Sequence, residues 1–247
     1  MIAAFSDWQT ARQQALTAPD GWLNLVARIE LAPGTHLVGK AQDVALPSGP
    51  DLLGTLTLGP DGATFARPGM PPQPFLPVAD AFPQLRVDPF LLEIHTVDGV
   101  PALRVRDLTL QPTVALRCFP SDPEWVIRAT WESFAPQASE VAMKDGSKAA
   151  VTLTHRATFQ HQGKTVALTP THWKSGKPMF VFRDATAGET YPACRFLFGE
   201  DASETEITLD FNRAISPPCA FTDFAICPLP PPGNILPFRI EAGELAP

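Results

Sequence analysis

The stretch GETYPACRFLFGEDASETEITLDFNR, residues 188–213, decides how the C-terminal half of the chain folds. Two runs rich in apolar and β-favouring residues, TYPACRFLF and EITLDFN, flank a polar segment from Gly199 to Thr205 that is typical of a hairpin loop. The two runs are therefore predicted to be antiparallel neighbours, with Arg195 near Asp210 across the ladder. This pairing depends on register, because a slip of one residue turns the two side chains to opposite faces.

Unusual residues are concentrated in this hairpin and just after it. Side chains two positions apart on a strand share a face, so Asp210 and Asn212 point the same way. With Arg195 they form a fixed set of donors and acceptors for an anionic or carbonyl group of a small ligand. Tyr191 and the segment from Cys219 to Cys227 would form the rim. The predicted ligand-binding residues are Tyr191, Arg195, Asp210, Asn212, Arg213, Cys219 and Cys227.

Two other interpretations of these residues stay open. In the structural one, Arg195 and Asp210 form a buried ion pair that fixes strand register, and Asn212 caps the following turn. In the catalytic one, Asp210 is a general base and Arg195 stabilises developing negative charge. The two catalytic roles conflict if the side chains touch, because an adjacent arginine stabilises the carboxylate and weakens it as a base.

The segment after Asn212 contains six prolines before residue 233 and is predicted to wrap around the domain as an ordered loop. Its two cysteines, Cys219 and Cys227, are interpreted first as small buried residues, and otherwise as a redox pair or a nucleophile with its partner. The loop contains no histidine to act as a base for a thiol nucleophile. A disulfide between the two stays open, although a cytosolic protein favours reduced thiols.

The motifs DATAGETY, LDFNRA, PPCAF, CPLPP and the closing AGE, in this order, resemble an uncharacterised bacterial family catalogued as domain of unknown function 1684. The resemblance extends more weakly to GWLNL, LAPGTHLVGK and DVALP. The family pattern implies a glycine pair and a Tyr-Asn pair where this sequence has Ala193-Cys194 and Ile215-Ser216. Because glycine allows closer backbone approach, a ligand lodged there in relatives would fit differently here. The resemblance implies no activity.

The sequence as a whole predicts a mostly β protein. The capping box Ser6-Asp7-Trp8-Gln9 predicts one short helix that stops at Pro19. Short alternating runs follow, with an Asp98-Gly99 hairpin turn and a proline-rich surface loop or lid at residues 68–77; residues 135–149 are interpreted as a connection. The predicted domains are an N-terminal helix (1–20), an N-terminal β subdomain (21–110) and an antiparallel barrel-like or sandwich unit (111–247) that carries the site.

The N-terminal strands also suggest a protein-interaction module. The order of a Pro-Gly turn, a short strand ending in Gly39-Lys40 and the run DVALP loosely resembles the opening of forkhead-associated domains. In that resemblance Lys40 takes the place of a phosphopeptide-reading arginine. No Ser-Arg-x-His segment follows it. An exposed basic or apolar patch around His36 to Lys40 would favour this alternative.

Composition excludes several classes of function. The formal net charge of −7 is unlike that of proteins that track nucleic-acid phosphates. No apolar run nears the length of a membrane span, and no leader pattern opens the chain, so the expected setting is the cytoplasm. The five histidines and four cysteines show no metal-binding spacing, and dinucleotide, P-loop and serine-hydrolase motifs are absent. A small-molecule ligand is the predicted partner; no nucleic acid, membrane or metal is expected, and no cofactor is indicated.

Overall fold

The computed structural model describes residues 2–79 and 81–247, including the side chains from Phe5 onward within those ranges. The helix α1 spans Ile2–Thr17. Its predicted end is confirmed, but its predicted start is wrong, because Ser6 lies inside the helix and its carbonyl accepts a hydrogen bond of 3.0 Å from the Thr10 hydroxyl. The capping-box pattern therefore occurs by chance inside a longer helix and does not mark the start of that helix.

Backbone contacts divide the chain into two compact units. The N-terminal sandwich is Ala15–Thr113. The C-terminal unit is Val114–Pro247 together with the first part of α1, up to Gln14.

The N-terminal sandwich consists of two five-stranded sheets that share one apolar core, to which Leu56, Phe65, Phe90 and Leu92 contribute. One sheet has the order β1-β10-β9-β8-β7 and the other β3-β2-β4-β5-β6, with every pairing antiparallel except β2 with β3. The strands are β1 Leu25–Glu30, β2 Gly34–Gly39, β3 Val44–Ala45, β4 Gly54–Gly59, β5 Gly62–Ala66, β6 Gln73–Pro74, β7 Leu76–Val78, β8 Ala81–Val87, β9 Phe90–Val97 and β10 Val100–Asp107.

The turn between β9 and β10 confirms the predicted hairpin. Asp98 and Gly99 have φ values of 47° and 78°, in the left-handed region that Asp-Gly turns use. The proline-rich segment at residues 68–77 is not a loop throughout, since it contributes to β6 and β7. Both are short edge strands, where the missing N–H of proline can face away from the sheet.

The C-terminal unit contains one seven-stranded antiparallel sheet in the order β13-β12-β11-β17-β16-β15-β14. The sheet is open at β13 and β14 and is not a closed barrel. The mostly β, antiparallel fold class with one N-terminal helix is confirmed. The strands are β11 Val126–Ala142, β12 Lys148–His161, β13 Lys164–Leu168, β14 His172–Lys174, β15 Lys177–Phe182, β16 Arg195–Glu200 and β17 Glu206–Asp210.

The connection predicted at residues 135–149 is wrong. Most of it belongs to the long hairpin of β11 and β12, whose register shifts between Ser133 and Gln137. Residues 135–142 carry little apolar alternation, so the sequence predicts only the parts of the two strands at residues 125–134 and 151–159.

After β17 the chain leaves regular structure, as its prolines predict. It makes short 3-10 turns at Phe211–Arg213, Pro218–Ala220 and Pro232–Asn234. Leu236, Ile240 and Ala242 then pack into the sheet's core. The proline-rich segment is thus an ordered cover that brings the end of the chain against the start of β16.

Candidate functional site

Arg195, the first residue of β16, is a buried brace. Its side chain is 1% exposed, and its Nη2 lies 3.1 Å from Oδ1 of Asp184, which is equally buried. The guanidinium also donates to the carbonyls of Ala242 and Ile240, the latter at 3.1 Å, and stacks 4.8 Å from the centre of the Phe182 ring. Burial lowers the pKa of Arg195, and Asp184 opposes that shift. These contacts tie β16 to the C-terminal segment and leave no open face for a ligand.

The predicted contact between Arg195 and Asp210 is wrong, although β16 and β17 are antiparallel neighbours as expected. The ladder pairs Gly199 with Leu209, and Arg195 instead lies opposite Phe182 on β15. Only the last two residues of β16 pair with β17, because β17 ends at Asp210. The carboxylate that pairs with Arg195 is therefore Asp184, which follows β15, the strand on the other side of β16.

Asp210, Asn212 and Arg213 form a local cluster at the end of β17. Oδ1 of Asp210 accepts from the backbone N–H and the side-chain amide of Asn212 at 3.1 and 3.0 Å, and Oδ2 lies 3.2 Å from Nε of Arg213. Asn212 is buried and exchanges two 2.9 Å hydrogen bonds with the backbone of Asp122. Asn212 is therefore structural, while Asp210 and Arg213 keep a partly exposed face.

Asp210 and Arg213 line a groove that we call the basic groove, with a volume of about 350 Å³. Its walls come from α1, the β14–β15 hairpin, β16, the end of β17 and the segment after it. Four cationic side chains face two carboxylates, over apolar surface from Trp8, Phe198 and Ile215. The lining residues are Trp8, Arg12, Lys174, Ser175, Lys177, Phe198, Glu200, Asp210, Arg213 and Ile215.

The two carboxylates of the groove are shared among its cations. Glu200 lies 3.4 Å from both Lys177 and Arg213. Lys174 forms no ion pair with any residue in the part of the chain that the structure describes. Because the side chains of Arg213 and Glu200 are 30% and 29% exposed, an incoming anion can reach this cluster.

Arg12 is positioned by Glu244, a residue that sequence reasoning missed. Glu244 is fully buried; its Oε1 lies 2.8 Å from Nε of Arg12, and its Oε2 accepts the backbone N–H of Ser216 at 2.7 Å. The preceding Gly243 has a φ of +82°, and a Cβ there would lie 2.6 Å from the carbonyl oxygen of Ala214. The closing Ala-Gly-Glu motif thus positions Arg12 through the buried carboxylate of Glu244.

Tyr191, Cys219 and Cys227 do not line the basic groove and form a separate thiol cluster with Lys144 and Cys194. The Tyr191 hydroxyl and the Lys144 ammonium both donate to the carbonyl of Cys219, at 2.9 and 3.0 Å. The backbone N–H of Cys219 donates to Sγ of Cys227 at 3.3 Å. All four cysteines of the chain are free thiols, so this state of the molecule has no disulfide.

The surroundings of Cys219 favour its thiolate. A hydrogen bond from the Cys227 thiol, helped by Tyr191 and Lys144, lowers the pKa of Cys219 to about 7. The pKa of Cys227 is raised, because it is the donor in that hydrogen bond and is buried. Burial also raises the pKa of Cys194. The cluster therefore contains one acidic thiol beside one that keeps its proton.

The N-terminal segment proposed for protein interaction is partly exposed. Leu37 is 40% exposed and Lys40 is exposed, whereas Val38 and Gly39 are buried. The ring of His36 bonds the carbonyl of Ala32 at 2.8 Å. The interaction-module interpretation stays a prediction, as does the catalytic role of Asp210, both of whose oxygens already have partners.

Two further classes of site find no support in the described ranges, 2–79 and 81–247. No group of three or more His, Cys, Asp or Glu side chains is placed to hold a metal ion. None of the helices there is both long and apolar enough to cross a membrane.

The fold and the groove define an antiparallel β protein with a basic groove at one end of an open sheet. The chain belongs to the family described as Protein of unknown function (DUF1684), whose model matches residues 114–245. The predicted family is thereby confirmed, and the matched range contains every groove residue except Trp8 and Arg12. The chain is also similar to an uncharacterized protein of Haloarcula marismortui, solved by NMR, at 32% identity over 53% of this chain and 75% of that chain, with a TM-score of 0.44. No curated protein matches.

Proposed function

We propose that this protein binds a small anionic molecule with an apolar portion in the basic groove. The observation that carries the proposal is the pairing of four cationic side chains with apolar surface in one concave site of a protein whose net charge is −7. Clustered positive charge in a net acidic protein concentrates anions locally. The prediction of a small-molecule ligand is thus kept, but the proposed binding residues are those that line the basic groove.

The size and composition of the groove support a compact ligand. Its volume of about 350 Å³ falls at the lower end of the roughly 300–1,000 Å³ typical of ligand pockets. Trp8, Phe198 and Ile215 supply apolar surface for a ring or short acyl group. Ile215 is one of the positions that differ from the family pattern, so we expect this groove to favour a more apolar ligand than one with tyrosine there.

The cations divide into anchored and adjustable groups. Arg12 is held by Glu244, and Arg213 by Asp210 and Glu200, so both present their guanidinium groups with little entropy left to lose. Lys174 and Lys177 lie on the exposed β14–β15 hairpin and can move to meet a ligand's charge. We propose a cytoplasmic setting, which the four free thiols support.

Calorimetric titration with 1-naphthyl phosphate, an aromatic dianion, tests the proposal. We expect binding that weakens as ionic strength rises, because exposed charges are screened by salt. The neutral analogue 1-naphthol should bind much more weakly. Equal affinity for the two compounds would show that the groove's cations do not recognise the anion.

A charge-reversal variant locates the site. Lys174→Glu/Lys177→Glu should weaken binding of the phosphate about tenfold, since reversing two exposed charges costs on the order of 1–2 kcal/mol. Lys164→Glu, an exposed lysine of the same sheet outside the groove, is the matched control and should bind as the wild type does. A loss of the same size in both variants would contradict a site in the groove.

A further inference from the structure

Three of the four cysteines converge beneath the proline-rich segment, away from the basic groove. Cys219, Cys227 and Cys194 are 4%, 2% and 0% exposed. The Cys219 backbone N–H lies 3.3 Å from the Cys227 sulfur, whereas the Cys194 thiol donates to the carbonyl of Pro228 at 3.6 Å. Cys219 and Cys227 are therefore a contacting pair, and Cys194 is engaged elsewhere.

We propose that Cys219 and Cys227 form a redox-active dithiol, in which Cys219 reacts with a hydroperoxide and Cys227 then closes a disulfide. The two residues are eight positions apart in a segment without α-helix or strand, so the short 3-10 turn at Pro218–Ala220 is the local structure that has to adjust. The site is independent of anion binding in the groove.

The reaction balances with a hydroperoxide as the oxidant. The Cys219 thiolate attacks one peroxide oxygen, the O–O bond breaks, and the leaving hydroxide or alkoxide takes a proton to become water or an alcohol. The Cys227 sulfur then attacks the sulfenic sulfur of Cys219, its thiol proton is lost, and the sulfenic oxygen leaves as a second water. Two thiols are oxidised to one disulfide, and one hydroperoxide is reduced.

The surroundings assign the two roles. Lys144 donates to the carbonyl of Cys219 and lies 5.7 Å from the centre of the Tyr191 ring, so a cation and a hydroxyl flank the Cys219 residue. Reactive cysteines lie in electropositive and partly exposed surroundings, whereas buried structural cysteines are inert. Cys219 is 4% exposed, so the 3-10 turn at Pro218–Ala220 has to open before a hydroperoxide reaches its sulfur. The lowered pKa of Cys219 and the raised pKa of Cys227 agree with an attacking and a resolving thiol, respectively.

Peptide mass spectrometry of the intact protein tests the proposal with an internal control. Complete tryptic cleavage places Cys219 and Cys227 together on the peptide 214–239, Cys118 on 118–128 and Cys194 on 184–195. After treatment with a small excess of hydrogen peroxide and alkylation, we expect the peptide 214–239 to lose two hydrogens and carry no alkyl group. Incubation with a small thiol should restore two alkylation sites. The other two cysteines should stay fully alkylated after unfolding.

Variants separate the two thiols. In Cys227→Ser, Cys219 should remain as a sulfenic acid that dimedone labels, while Cys219→Ser should give no oxidised product at residue 227. Lys144→Met should slow the oxidation of Cys219 about threefold or more by removing the adjacent positive charge. The proposal is overturned if the peptide 214–239 stays fully reduced while Cys118 oxidises, or if Cys219 bridges to Cys194 instead.

Discussion

Two arginine–carboxylate arrangements in the C-terminal unit use the same chemistry for different ends. Arg195 and Asp184 are 1% exposed and surrounded by backbone carbonyls and an aromatic ring. Arg213, with Asp210 and Glu200, lies in a groove and keeps about a third of its side chain exposed. The first arrangement holds the end of the chain against the sheet, and the second is open to a ligand. Burial, rather than residue type, separates a brace from a candidate binding group.

The largest expected effect is the loss of stability on breaking the buried pair. Asp184→Ala leaves the Arg195 guanidinium buried without a countercharge, which typically costs about 3–5 kcal/mol. Arg213→Met, the exposed counterpart, should cost at most about 1 kcal/mol. Urea unfolding of both variants measures the difference, and similar losses would remove the distinction between the two arrangements.

The next effect concerns the carboxylate behind the groove. Glu244→Gln keeps the shape of the side chain but leaves Arg12 without its ion pair, and we expect a loss of roughly 2 kcal/mol in the free energy of unfolding. Glu206→Gln, which breaks an exposed pair with Arg128, is the control and should change stability by less than about 0.5 kcal/mol. Equal losses in the free energy of unfolding would mean that Glu244 stabilises the fold no more than an exposed ion pair does.

A buried histidine among arginines extends the comparison to the N-terminal sandwich. Burial, together with Arg104, Arg28 and Arg106, lowers the pKa of His95 from 6.5 to about 3. The unfolded chain therefore binds a proton near pH 6.5 that the folded chain does not bind until about pH 3. This contribution to stability is complete above pH 6.5 and is lost as the pH falls towards 3.

Unfolding experiments across that pH range check the prediction. His95→Gln should show a shallower loss of stability between pH 6.5 and 3 than the wild type. Parallel curves for wild type and His95→Gln would mean that His95 is protonated in the folded state.

The smallest effect is expected at the groove's lysines. Lys177→Ala breaks an exposed contact of 3.4 Å with Glu200, so its effect on the free energy of unfolding should stay within about 0.5 kcal/mol. Its affinity for 1-naphthyl phosphate should nevertheless fall. A loss of stability with unchanged affinity would mean that Lys177 supports the fold and does not bind the ligand.

Much of the fold could be predicted because local signals were strong. The Asp98-Gly99 hairpin, the neighbouring strands β16 and β17 and the prolines after Asn212 each have a clear physical signature. The two strands of the β11–β12 hairpin are predicted only in part, because residues 135–142 lack apolar alternation and are interpreted as a connection. The run MFVF predicts β15, but its hairpin with β14 is not predicted, although Ser175 and Gly176, at φ values of 50° and 74°, form a turn that their sequence indicates.

The site was predicted only in part, because side-chain partners depend on packing between distant segments. Arg195 and Asp210 were both singled out, but the sequence could not show that Asp184 is the partner of Arg195. The one available signal was an acidic residue just after the buried run MFVF, in the family motif DATAGETY. Arg12, Lys174 and Lys177 carried no signal, since exposed cations on a helix or a hairpin are ordinary.

The difference between the buried brace and the basic groove is tested most directly by the dissociation constant of 1-naphthyl phosphate for three folded proteins: wild type, Arg195→Met and Lys174→Glu/Lys177→Glu. Circular dichroism at the titration temperature establishes that each is folded. We predict that Arg195→Met, although less stable, binds within about twofold of wild type, and that the lysine variant binds about tenfold more weakly. Weak binding by folded Arg195→Met together with wild-type affinity in the lysine variant would contradict anion binding in the basic groove.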